Sequence, residues 1–129
     1  ARRILGRRVS VFALNKLEIL ESLPHLTLDT THLGTWGLDP VQIYEQLRSK
    51  VVHVHLSDFD GEEHQLPEDG HLRLGELLER LDADGYEGAV SLEFNPDVLQ
   101  AGDETEVLGR LQDALRFCQD HLPNIRGSV

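Results

Sequence analysis

The sequence contains no methionine and a single cysteine, Cys118, so no internal disulfide is available to staple the fold. Stability and chemistry must come from elsewhere, and a thiol-poor chain suits a reducing, cytoplasmic setting. Aromatic residues are scarce at 5%, and no apolar run approaches the roughly 20 residues that span a bilayer. The most apolar early stretch, VFALNKLEIL, is broken by Lys16 and Glu18, unlike the core of a signal peptide. Basic residues are also few: 12 Lys and Arg against 23 Asp and Glu give a formal charge of -11. Such a balance repels phosphate backbones and anionic membranes. The one basic cluster, ARRILGRR at the start, reads as a solvated end.

What is present is ordinary for a globular domain, with 40% hydrophobic and 27% charged residues over 129 positions. Ser10 is placed to cap a first helix through VFALNKLEILESL, whose apolar stripe runs to Pro24. LTLDTTH, residues 26–32, is short and β-prone, and a glycine turn through Gly34 and Gly37 follows it. Asp39 and Pro40 then open a helix with Val41, Tyr44 and Leu47 at helical spacing. VVHVHLS, 51–57, reads as a second strand. After a polar loop, Leu74, Leu77, Leu78 and Leu81 predict a helix that Gly85 closes. GAVSLEF, 88–94, is a third strand. Val107, Leu108, Leu111, Leu115, Cys118 and Leu122 predict the last helix.

The order is one helix and then three βα units, which calls for a parallel sheet with right-handed crossovers. Strand parity decides how that sheet closes. One parity carries Leu26, Leu28, Val52, Val54, Leu56, Val90, Leu92 and Phe94; the other carries Thr27, Asp29, His53, His55, Ser91 and Glu93. An open doubly wound sheet is apolar on both faces. A (β/α)8 barrel instead turns one parity to the helices and the other to an axis whose upper end can be polar. Three strands of eight make the chain, 1–129, the expected C-terminal part of such a barrel. Its exposed edges then predict a missing N-terminal half or a homo-oligomer partner.

Asp29, His55 and Glu93 each lie near the C-terminal end of a strand on the polar parity. Two carboxylates and one imidazole without a thiolate suit one divalent cation: Mn, Mg, Co or Zn. Taken singly, the structural readings win: Asp29 as a turn cap, His55 as a hydrogen-bonded core histidine and Glu93 as an ion-pair partner. Their shared parity favours a site. His53 lies one layer deeper, as a packed group or a support for His55.

DTTH, HVHLSD, the GEEH loop and GYEGAVSLEF together resemble the xylose isomerase-like barrels, which include sugar isomerases and epimerases and the endonuclease IV type of abasic-site nuclease. The likeness runs from about Ser10 onward. It implies a metal held by Glu, Asp, His and Glu, the last three matching Asp29, His55 and Glu93; the first Glu would belong on a strand before Ala1. It also implies that Glu93 is a catalytic proton-transfer base and that His32 contacts a sugar substrate. His32, Glu62 and His64 match positions that hold a second metal in the nucleases. The implied reaction is isomerisation or epimerisation of a sugar or sugar phosphate by proton transfer next to a carbonyl, through an enediolate. An abasic-site nuclease is the second reading, weakened by the charge. A non-catalytic partial barrel that binds metal or a partner chain is the third. The family's Gly, acidic, Gly turn stands here as Glu68, Asp69, Gly70, without its first glycine.

Overall fold

The computed structural model describes residues 2–4, 7–9 and 16–123. Near the start, β1 (Arg2–Ile4) pairs antiparallel with β2 (Arg7–Val9), setting Arg3 opposite Arg8, where a solvated end was expected. The predicted Ser10 cap lies outside the described residues, and of the first helix one turn is described, α1 (Leu17–Leu20). The remaining order is β3 (Leu26–Asp29), α2 (Thr30–Trp36), α3 (Pro40–Leu47), β4 (Val51–Leu56), α4 (Leu74–Ala83), β5 (Ala89–Leu92) and α5 (Glu104–His121). The strands β3, β4 and β5 form one parallel sheet in that order. This is an α/β architecture with the strand and helix sequence of a partial TIM barrel.

Helices cover one face of the sheet. Leu26, Leu28, Val54 and Leu56 from the strands, Val41, Tyr44 and Leu47 from α3, and Leu74, Leu77, Leu78 and Leu81 from α4 form a single apolar core. Leu77, Leu78 and Leu81 are wholly inaccessible, and each contributes about 1.5–3 kcal/mol by leaving water. Tyr44 enters this core with its hydroxyl donating to Asp84 Oδ2 at 3.2 Å, and burial, reinforced by Asp84, pushes its pKa up to about 12. As predicted, Asp39 caps α3, accepting from Val41 N at 2.9 Å. Gly85, at φ 65°, ends α4 in the left-handed conformation that glycine adopts without penalty.

The structure corrects three details. The glycine turn after β3 is a helix, α2. Gly34 is there for close packing: a Cβ on it would stand 2.9 Å from Phe59 Cβ. Gly37, at φ 72°, terminates the helix. Second, Val52 is 48% exposed and does not join the helix-facing side. Leu26 pairs with Val51 but Thr27 pairs with His53, so Val52 is an extra residue in β4, a bulge that resets the parity. Third, Leu108 and Leu115 face outward, 58% and 45% exposed, while α5 packs through Ala114, Phe117, Cys118 and Leu122. Among the described residues no helix is long and apolar enough to cross a membrane.

Candidate metal centre

The bulge places His53 and His55 on the face opposite the helices, together with Asp29 and Ser91. In register, Asp29 pairs with His55 and His55 with Ser91. Glu93 follows Ser91 by two residues on the same side, its N–H continuing the ladder to Leu56 O at 3.2 Å. Three neighbouring strand ends therefore converge. His55 Nδ1 lies 3.7 Å from Asp29 Oδ2 and 3.2 Å from Glu93 Oε2. One ligand atom from each residue falls within 4.8 Å of the others, the only such group of three among the described residues. Two carboxylate oxygens and an imidazole nitrogen at this spacing fit a hard or borderline divalent cation.

Asp29 performs the bland role as well. Its Oδ1 caps α2, accepting from His32 N at 3.1 Å, while Oδ2 faces the imidazoles. His32 Nδ1 stands 2.6 Å from Asp29 Oδ2, and the exposed ring borders the site. Beneath His55, His53 Nε2 lies 2.8 Å from Ser91 Oγ, and the two imidazoles meet edge-to-face at 4.8 Å. His53 thus packs against the ring of His55 from below, as a deeper-layer residue should.

The His32 and His64 rings are 6.0 Å apart, edge-on. Glu62 is exposed, its N–H donating to Asp60 Oδ1 at 2.9 Å. These three do not gather as closely as Asp29, His55 and Glu93 do.

Several residues that shape the site received no role from the sequence, although they stand within DTTH and HVHLSD. Thr30 is fully buried. Its hydroxyl donates to Ser57 O at 2.6 Å and accepts from Ser57 N at 3.0 Å, joining the start of α2 to the end of β4. Asp58, 1% exposed, organises the loop between β4 and α4. Its Oδ1 accepts from Phe59 N at 2.8 Å and Leu72 N at 2.9 Å, and its Oδ2 from Glu68 N at 3.2 Å. Gly70 must be a glycine because a Cβ there would come within 2.3 Å of Asp58 Oδ1 and 2.7 Å of Phe59 N. The backbone path at the lost family glycine is now plain: Glu68 takes φ 73° itself, tethered by Asp58.

Comparison with known proteins supports the same fold. A family model described as "Xylose isomerase-like TIM barrel" matches residues 17–121. An uncharacterized protein of Mycobacterium tuberculosis is 30% identical over 120 residues, covering 91% of this chain and 42% of the relative. A Streptomyces coelicolor protein, provisionally named a hydroxypyruvate isomerase, is 38% identical over 69 residues, 54% of this chain and 24% of its own length. The crystal structure of a D-tagatose 3-epimerase-like protein shares the fold with a TM-score of 0.56 at 24% identity, over 81% of this chain and 40% of that one. The chain thus spans about two fifths of the length of the mycobacterial relative. With its parallel strands, its helix-covered face and most of its length matched, the chain belongs to the xylose isomerase-like TIM barrel family.

Proposed function

We propose that this chain is the C-terminal part of a divalent-metal-dependent isomerase or epimerase acting on a sugar or sugar phosphate. The observation that carries the reading is the convergence of Asp29, His55 and Glu93 from three successive strand ends. The Streptomyces relative's provisional name and membership of the family support the reaction class. Asp29, His55 and Glu93 would hold one Mn, Mg, Co or Zn ion. When bound, such a cation supplies positive charge where negative charge grows on the substrate oxygens beside the broken C–H bond.

The chain's own groups do the rest. Glu93 Oε2, half exposed at the mouth and oriented by His55 Nδ1, takes a proton from the carbon next to the carbonyl and returns it. His32, held on Asp29 and exposed on its outer side, contacts the substrate. A further carboxylate, and the walls that exclude water, belong to the N-terminal half of the barrel or to a partner copy.

Incubation of aldoses and ketoses with the chain and Mn2+ in deuterated water tests this. Deuterium should enter substrate only when Mn2+ is present, and H55A should lower Mn2+ affinity by more than the roughly 10–100-fold that changes outside the ligand shell cost. Mn2+ binding without exchange would support the non-catalytic partial barrel instead. Indifference of Mn2+ binding to H55A would refute the metal site. The nuclease reading stands second, because a charge of -11 opposes binding to DNA.

A further inference from the structure

Residues lying two positions beyond each member of the triad meet at one point. Thr31 follows Asp29 by two, Ser57 follows His55 by two, and Asn95 follows Glu93 by two. All three contact His64. The His64 N–H donates to Thr31 Oγ1 at 3.1 Å, the His64 carbonyl accepts from Asn95 N at 2.9 Å, and Ser57 Oγ lies 3.4 Å from His64 Nδ1. Thr31 is wholly buried, and its hydroxyl, in turn, donates to Asp58 O at 3.2 Å. Its one hydroxyl is therefore both donor and acceptor, joining α2 to both ends of the loop segment 58–64.

His64 has φ 61°, a left-handed conformation that costs free energy in any residue with a Cβ. Such a conformation persists only where surrounding contacts impose it. Here the contacts come from Thr31 in α2, Ser57 after β4 and Asn95 after β5, in the segments that follow the strand ends carrying Asp29, His55 and Glu93. No other residue described above touches all three. A sheet fixes the strand ends through its ladders only up to Leu56 and Glu93; beyond them the spacing of the mouth has to be set by something else.

We propose that His64 and Thr31 are positioning residues: a clamp at His64, through its main chain to Thr31 and Asn95 and through its ring to Ser57, ties the three segments just beyond Asp29, His55 and Glu93 and so sets the separation of the cation ligands. This rests on the cation reading of the same site. It gives His64 a task distinct from ligation of a cation.

Thr31→Val keeps the side chain's shape and deletes the hydroxyl, whereas Thr31→Ser keeps the hydroxyl. Mn2+ affinity, measured by the spectrum of free Mn2+, should fall about tenfold in T31V, the order seen when groups that orient a metal ligand are lost. T31S should stay within about twofold of the unmodified chain, by the same reasoning. Because coupling is reciprocal, saturating Mn2+ should slow hydrogen exchange of the His64 and Asn95 amides in the unmodified chain, while those of Leu77 and Leu78 in α4 stay as they were. That arm needs no variant and decides the matter even if T31V does not fold. Equal Mn2+ affinity in T31V and T31S, or unchanged exchange at His64 and Asn95 on Mn2+ binding, would overturn the clamp alone. Failure of the unmodified chain to bind Mn2+ would instead overturn the cation reading on which it stands.

Discussion

Replacing Asp58 by alanine should unfasten the loop that leads from the site to α4. The carboxylate accepts from three backbone N–H groups, those of Phe59, Leu72 and Glu68, at 2.8, 2.9 and 3.2 Å. Hydrogen bonds to a charged acceptor are worth about 1.5–3 kcal/mol each, so three would sum to about 4.5–9 kcal/mol if the loop stayed shut. It will not stay shut, because an opened loop lets water reach the orphaned donors. The cost of opening it therefore caps the loss, and we expect about 3–5 kcal/mol, near the upper end for single substitutions. Urea unfolding at unchanged m would read this as a lower midpoint. Hydrogen exchange would show the amides of Phe59, Glu68 and Leu72 released together. Gly70→Ala pushes on the same carboxylate, so its effect should be smaller in the D58A background, with a coupling of at least about 0.5 kcal/mol. A D58A midpoint matching that of the parent, with those three amides still protected, would refute the reasoning.

Two further expectations concern the core. Burial pushes the hydroxyl pKa of Tyr44, helped by Asp84, and that of Tyr86 from 10.0 up to about 12. A raised folded-state value means stability that is complete below pH 10 and lost as pH climbs toward 12. Tyrosinate absorbance should accordingly lag that of free tyrosine in this window, and unfolding midpoints should drop across it; titration of both phenols near pH 10 in the folded chain would contradict the burial argument. Leu77→Ala should cost about 2–5 kcal/mol, since the side chain is wholly enclosed in the core that α3, α4 and the sheet share. A loss under 1 kcal/mol in urea would show that this part of the core is loosely packed.

Much of this molecule was legible because burial leaves a periodic trace. The leucines of α4 and the alternation along β3 and the end of β4 follow from which side meets the helices. The triad was visible because Asp29, His55 and Glu93 fall on the polar parity of that alternation, each near the C-terminal end of its strand. What escaped prediction depends on contacts between distant residues. The bulge at Val52 is a matter of how β3 meets β4, and no local pattern marks it. The helical path after Asp29 owes its stability to the Thr30 and Thr31 hydroxyls, whose bonds to Ser57, Asp58 and His64 reach 27 or more residues along the chain. The leucines at 108 and 115 match a helical stripe as well as their neighbours do, yet α5 turns Ala114, Phe117 and Cys118 to the rest of the molecule instead. Local spacing cannot choose between two such faces.

The extra residue at Val52 has an evolutionary consequence. It acts as a phase adjuster near the start of β4, separating the segment that merely enters the sheet from the segment that presents the imidazoles. A one-residue insertion or deletion in the turn 48–50, ahead of it, need not alter the pairing of Thr27 with His53. The same length change between His53 and His55 would swing the second imidazole to the helix side, away from Asp29 and Glu93.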